Sequence, residues 1–308
     1  MLVKEIVKGI TTGEKSILAK FITMLEKENR DEDTIAEIFH QLPTKNDSIR
    51  IGLSGPPGVG KSSTLNELCK VLVQKNHKIA VLAVDPSSSI SGGSILGDKT
   101  RMGDVSSHKN VYIRPSPSRT HLGGVHRATR ECIMACEAAG YNWIFVETVG
   151  VGQSETKVFS MTDVFVTLLQ PATGDQLQGM KKGLLELPHI ISIHKADGDL
   201  QNHAAKAKNQ LEQIFHMMEK PTKITTTSIK ELSTMSTMLE MIENHYQQEK
   251  QSGLLAEKRT EQEKDWLQEE INFQTLEKLG PLLNYDELIK SDEHIPKLVS
   301  ITLKGLFK

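Results

Sequence analysis

The sequence predicts an α/β fold: a mostly parallel central sheet flanked by helices, with further helical extensions at both ends of the chain. Three observations carry this expectation. Short β-branched runs alternate with stretches of helical spacing between about residues 47 and 246. One of these runs, Ile49-Arg50-Ile51-Gly52-Leu53, passes directly through a glycine-rich turn into a helical stretch, Ser63 to Gln74, with apolar residues at Leu65, Leu68, Leu72 and Val73. Outside the middle region the alternation stops, and residues 1–46 and 247–308 read as helical.

In chain order, Thr11-Thr12-Gly13-Glu14 can form a capping box, followed by Ile17, Leu18, Phe21, Ile22 and Leu25 on one helical face. A second helix is expected from Asp33 to Gln41, with Ile35, Ile38 and Phe39 inward, ended by Pro43. Strands are expected at 49–53, 79–84, 111–114, 143–147, 164–169, 190–194 and 223–227. Beyond His245 the composition shifts to Gln, Glu and Lys, with sparse apolar residues at Leu254, Leu255, Trp266, Leu267, Ile271 and Phe273. That pattern reads as a long polar helix with one sticky face, the kind that docks on a partner or on a second copy of the chain. The expected organisation is therefore an N-terminal extension at 1–46, a core domain at 47–246 and a C-terminal arm at 247–308.

Bulk properties narrow the class. A chain of 308 residues with 38% apolar and 25% charged residues is an ordinary globular protein with a sizeable core. A net charge of −2 without a basic stripe gives no reason to expect nucleic acid as a partner. Cys69, Cys132 and Cys136 are an odd number of thiols and suggest no disulfide framework. Cys132 and Cys136 stand i,i+4 without a companion pair of metal spacing, so they read as small buried apolar residues. The N-terminus lacks a long apolar stretch and no run of 18 apolar residues occurs, so a cytoplasmic protein without membrane contact is expected.

Chemistry concentrates at the carboxyl ends of the expected strands, where open α/β sheets bind ligands. Gly55-Pro56-Pro57-Gly58-Val59-Gly60-Lys61-Ser62, followed by Ser63, spells G-x-x-x-x-G-K-S between a strand and a helix, the phosphate loop of a P-loop NTPase. Its backbone N–H groups and the helix dipole would hold a phosphate, Lys61 would reach the β/γ oxygens, and the Ser62 hydroxyl would ligate Mg²⁺. Asp85, at the end of Ala83-Val84-Asp85-Pro86, is placed to hold a Mg²⁺-bound water; an Asp-Pro turn starter is the alternative. Asp98 lies in a segment with Gly92, Gly93 and Gly97 that could order around a γ-phosphate, and is a candidate second carboxylate.

Trp143-Ile144-Phe145-Val146-Glu147-Thr148-Val149-Gly150 reads as an apolar strand ending in a Walker B-type acid, Glu147, with Gly150 N–H free to bond a γ-phosphate. In many small GTPases a Gln directly follows that glycine and orients the attacking water. Val151 takes that place here, with Gln153 two residues later. Either Gln153 serves through another loop path, or hydrolysis is slow until a partner supplies a group. Ile190-Ile191-Ser192-Ile193-His194-Lys195-Ala196-Asp197 ends as a guanine-reading N-K-x-D run would, with His194 in place of Asn. Asp197 would accept two N–H bonds from the guanine Watson–Crick edge and Lys195 would lie along the base. One ring N–H of His194 could donate to the purine. Guanine is favoured, with adenine or mixed specificity open.

Together these segments strongly resemble the MeaB family of P-loop GTPases, also labelled ArgK or LAO/AO transport ATPases. The human methylmalonic aciduria type A protein is a relative. The matching blocks include Asp85-Pro86-Ser87-Ser88, Gly92 to Met102, Tyr112 to Pro117, Glu147 to Glu155 and Thr173-Gly174-Asp175-Gln176-Leu177-Gln178-Gly179-Met180-Lys181-Lys182-Gly183. The resemblance implies a GTPase binding GTP/GDP and Mg²⁺ that chaperones an adenosylcobalamin-dependent acyl-CoA mutase, usually methylmalonyl-CoA mutase. By matching motif, Ser62, Asp85, Asp98 and Glu147 would surround Mg²⁺. Asp175, Gln178 and Lys181 would form a switch that takes part in partner-stimulated hydrolysis. It also implies a homodimer formed through the terminal extensions. A kinase or ATPase linked to lysine, arginine or ornithine transport is the alternative. Two positions depart from the family pattern: His194, and Ile229 in Thr226-Thr227-Ser228-Ile229, where a base-contacting loop including Ser228 is expected.

Overall fold

The computed structural model describes residues 2–27, 29–44, 47–84, 102–115, 122–148, 153–171 and 186–279. Seven strands form one sheet: β1 (Ile49–Ser54), β2 (Ile79–Val84), β3 (Val111–Arg114), β4 (Trp143–Thr148), β5 (Val164–Leu169), β6 (Ile190–His194) and β7 (Lys223–Thr227). Their order is β3-β2-β4-β1-β5-β6-β7, and every pairing is parallel. All seven strands lie where the β-branched runs predict them. β1 is central, with Leu53 opposite Glu147 of β4 on one side and Val166 of β5 on the other. Parallel strands must be covered on both faces, which explains why β5 is buried at every position.

Three hydrophobic clusters among the described residues provide that cover, two of them large. On one, α4 (Lys61–Gln74) and α8 (Leu232–Ser252) bring Leu65, Leu68, Met235, Met238 and Ile242 against Ile51, Leu53 and Val166. On the other, α1 (Val3–Thr11), α2 (Lys15–Leu25), α3 (Glu32–Gln41) and α5 (Leu122–Ala138) share a core with Leu82, Ile144 and Val146. The N-terminal helices are thus a structural layer over the sheet: Ile10, Phe21, Ile22 and Ile38 are fully buried. α7 (Gln201–Met217) covers β6 and β7 through Leu211 and Phe215. Cys69, Cys132 and Cys136 are free and buried, which for Cys132 and Cys136 is what their spacing suggests. Among the described residues no helix is long and apolar enough to cross a membrane.

Local expectations needed two corrections. The Thr11–Glu14 capping box does not form. α1 continues to Thr11, so the Thr11 hydroxyl donates back to the Val7 carbonyl (2.8 Å), and Glu14 takes the N-cap of α2 without a side-chain bond. The polar C-terminal stretch is two helices. α8 runs to Ser252, Gly253 adopts φ +85°, and α9 (Leu254–Leu279) begins after it. A left-handed residue at that point satisfies the end of α8 and redirects the chain. The expected boundary at residue 246 falls inside α8. The chain divides into two compact units, Met1–Arg259 and Thr260–Lys308. In the second, α9 exposes Leu267, Ile271 and Phe273.

At the foot of the sheet, opposite the carboxyl ends, a buried carboxylate gathers the chain. Asp163, fully buried, accepts from the Arg50 backbone N–H (2.8 Å) and from Arg259 Nε and a terminal guanidinium nitrogen (2.9 and 2.7 Å). Arg259 also donates to the Ser48 carbonyl (2.7 Å), and Lys258 to the Asp163 carbonyl (2.5 Å). Arg50 forks onto Glu137 at 2.8 and 3.0 Å. The start of α9 is therefore held to β1 and β5 by charge-assisted bonds in a low-dielectric setting.

Beside this cluster, His189, His245 and Glu249 bring ligand-type atoms within 4.8 Å of one another. The arrangement does not suit a metal. The Phe165 N–H donates to His189 Nδ1 (2.8 Å), so the ring proton sits on Nε2 and neither nitrogen offers a free lone pair. Burial, reinforced by the charge of Lys258, pulls the His189 pKa down to about 3. The trio reads as polar packing.

Asp163→Ala should strand Arg259 and the Arg50 N–H and destabilise the fold by about 3–5 kcal/mol, read from the denaturant midpoint at pH 7; an unchanged midpoint would contradict the clamp. His189 gives a second expectation. The unfolded chain takes up its proton near pH 6.5 and the folded chain only near 3, so stability is full above 6.5 and falls between these limits. The slope is about 1.4 kcal/mol per pH unit from this group. His189→Asn, measured by denaturation across pH 7 to 4, should flatten the profile.

Candidate functional site

Because all strands are parallel, the carboxyl ends of β1, β4, β6 and β7 lie at one edge of the sheet. The loop after β1 carries Gly55 to Ser63. Its geometry depends on Gly60, at φ +112°, where a Cβ would stand 2.8 and 2.9 Å from Cδ2 and Nε2 of His194. Only glycine meets both the backbone conformation and the approach of that ring. α4 then starts at Lys61, with its first-turn N–H groups directed into the loop.

Lys61 lies inside the loop, its ammonium donating to the Gly55 carbonyl (2.7 Å) and the Pro56 carbonyl (3.2 Å). Burial lowers its pKa, opposed by the carboxylates of Glu147 and Glu155. The Ser62 hydroxyl donates to Glu147 Oε1 at 3.1 Å, which brings together the two of the four expected Mg²⁺ ligands that lie within the described residues. A hydroxyl and a carboxylate oxygen at a helix start are hard oxygen donors and fit Mg²⁺. Asp85, Asp98, Gly150, Asp175 and Lys181 lie outside the described residues. Gln153 is the first residue of the short helix α6 (Gln153–Phe159).

The base end is built from the ends of β6 and β7. Asp197 accepts from the Ser228 hydroxyl (2.7 Å) and pairs with Lys230 at 2.5 Å. Lys230 and Ser228 hold its carboxyl below the usual carboxylate range. Lys195, at φ +62°, reaches across to the Gly58 carbonyl (3.0 Å), tying the base end to the phosphate loop. Gln170, just beyond β5, bonds the same carbonyl at 3.3 Å. Lys61, Ser62, Glu147, Lys195, Asp197 and Ser228 therefore converge as the motifs suggest.

His194 is enclosed between two threonines. It is 1% exposed; Nδ1 lies 3.1 Å from the Thr227 hydroxyl and Nε2 3.4 Å from the Thr64 hydroxyl. Burial, with the charge of Lys195, pulls its pKa down to about 4, so the ring is neutral at pH 7. A neutral imidazole has one donor and one acceptor, and both are used.

Four residues have contacts that motif spacing does not assign. Thr64 and Thr227 bracket the His194 ring, and Lys230 pairs with Asp197, contacts that only the folded arrangement creates. Glu155, 3% exposed, accepts from Ser154 (3.2 Å) and Ser54 (3.4 Å). An acid at i+8 from Glu147 carries no helical or strand signal of its own.

Comparison with known proteins agrees with this architecture. Residues 18–280 match the family described as Methylmalonyl Co-A mutase-associated GTPase MeaB. A probable GTPase of Mycobacterium tuberculosis is 42% identical over 272 residues, covering 84% of this chain and 81% of the relative. The mitochondrial methylmalonic aciduria type A homolog of Mus musculus is 40% identical over 286 residues, covering 87% of this chain and 69% of that protein. The GTPase ArgK of Escherichia coli is 38% identical over 289 residues, covering 92% and 87%. A crystal structure titled LAO/AO transport system kinase superposes with a TM-score of 0.78 at 28% identity, over 99% of this chain and 98% of that one. With a parallel P-loop NTPase sheet, an intact phosphate loop and similarity along most of its length, the chain belongs to the MeaB family of methylmalonyl-CoA mutase-associated GTPases.

Proposed function

We propose that this GTPase is a Mg²⁺-dependent switch that gates and protects an adenosylcobalamin-dependent acyl-CoA mutase, with methylmalonyl-CoA mutase as the foremost candidate. The observation that carries the reading is the junction of Lys61, the Ser62–Glu147 pair and the Asp197–Ser228 pair at one sheet edge. The family description and the name of the mouse relative point to the client.

In this reading the phosphate loop holds the β- and γ-phosphates through its N–H groups, and Lys61 turns from its carbonyl partners toward the phosphate oxygens. Ser62 and Glu147, with Asp85 and Asp98, would hold Mg²⁺, which neutralises charge on the phosphates. Asp197 takes the guanine N–H groups while Ser228 keeps its carboxylate oriented. Lys230 must share or leave its oxygen when the base arrives. Gln153 is the candidate for orienting water, and Asp175 and Lys181 for coupling hydrolysis to the mutase. Slow turnover in isolation, a homodimer joined through the terminal arm, and a cytoplasmic location complete the proposal.

The decisive experiment is steady-state hydrolysis of GTP and ATP, each with and without the organism's acyl-CoA mutase. Slow GTP turnover rising by about 10³-fold or more with the mutase is the expected result, the scale of a group supplied by a partner. Turnover indifferent to the mutase would remove the client. A transfer of phosphate to an amino-acid or protein acceptor would instead favour the transport-kinase reading suggested by one structural relative's title. Lys61→Ala should weaken GTP binding by at least about 100-fold in a titration, since it removes the ammonium buried within the loop; equal affinity would refute the phosphate-site assignment.

A further inference from the structure

The position where guanine-reading proteins carry an Asn is one of the two at which this chain departs from the family pattern, and the structure gives that departure a physical meaning. The His194 side chain has the Gly60 backbone against its Cδ2–Nε2 edge, so close that a single added carbon would clash at 2.8 Å. Thr64 of α4 is at Nε2 and Thr227 of β7 is at Nδ1. Thr227 is itself held by Ser192 of β6, hydroxyl to hydroxyl at 2.6 Å. Ser192, His194 and Thr227 are each 1% exposed or less, and Thr64 is fully buried. This is a buried chain of polar contacts, Ser192–Thr227–His194–Thr64, in which the single ring N–H faces a threonine hydroxyl in either tautomer.

Purines offer acceptors at N7 and, in guanine, at O6. An Asn amide in this place has two N–H groups and can serve the protein and the base at once. A neutral imidazole has one N–H, and here a threonine hydroxyl faces each ring nitrogen. Donating to a base would mean breaking a buried contact and exposing a ring that Gly60 and the two threonines enclose. The groups left to meet a base are the Asp197 carboxylate, which Ser228 orients and which Lys230 must share, and the stem of Lys195.

We infer that His194 is a positioning residue that ties the phosphate loop to β7, and that this protein selects its base through Asp197 without a contact at purine N7. The inference rests on the nucleotide-binding reading above; its N7 half does not depend on which purine is bound, because adenine and guanine share N7.

The test is equilibrium binding of the wild-type full-length protein to GDP, 7-deaza-GDP, IDP, ADP and 7-deaza-ADP in Mg²⁺ buffer, by calorimetry or competition against a fluorescent GDP. The 7-deaza compounds replace N7 by a C–H and leave the Watson–Crick edge intact. IDP lacks the 2-amino group that Asp197 would bind. The expected result is 7-deaza-GDP within about twofold of GDP, with IDP weaker by about tenfold, the scale of one lost bond to a charged acceptor. A tenfold or greater loss with 7-deaza-GDP would overturn the inference, since the protein must then donate to N7. A full-strength IDP would overturn its Asp197 half. If ADP bound as well as GDP, guanine selectivity itself would fail. The ADP and 7-deaza-ADP pair would then decide the N7 question by the same criterion.

Discussion

The molecule depends on the constraint that parallel strands impose. Every strand has its carboxyl end at the same edge, and the chain must cross a face to begin the next strand. The seven strands therefore deliver the phosphate loop, Glu147, Asp197 and Ser228 to one line without long-range guidance from the sequence between them. The helices that return the chain become the walls of the two large cores. The arrangement of the site is thus a by-product of how the sheet buries itself.

Within that edge, the contacts are short bridges between neighbouring turns. The Gly58 carbonyl receives Lys195 from beyond β6 and Gln170 from beyond β5. Gly60 meets His194, and Ser62 meets Glu147. Three different strand ends thus bear on one loop of nine residues. A loop so braced is largely pre-arranged, so binding need not supply the whole entropic cost of ordering it.

The strands were readable because each is a compact β-branched run bounded by turn residues, and burial on both faces reinforces that signal. The phosphate loop was readable because its spacing is set by the ligand. What the sequence concealed was local competition and tertiary pairing. Thr11 could cap forward into α2 or bond backward onto α1, and only the true end of α1 decides between them. Gly253 inside a polar stretch could be a tolerated helical glycine or a stop, and its +85° φ makes it a stop. His194 looked like a weaker base contact because its partners, Thr64 and Thr227, lie 130 and 33 residues away. Asp163 carried no motif at all, since its role exists only once Arg50 and Arg259 are brought to it.

β5 begins beside Asp163 at the foot and ends beside Gln170 at the nucleotide edge, a span of roughly 20 Å of fully buried strand. A buried strand in the middle of a sheet is a stiff strut, neither hinge nor spring. Its two ends therefore behave as separate modules of selection: sequence change at the foot is filtered by whether the chain folds, and change at the top by which ligand it keeps. The same scaffold can accordingly acquire a new terminal arm without relearning its nucleotide, or a new nucleotide preference without redesigning its arm.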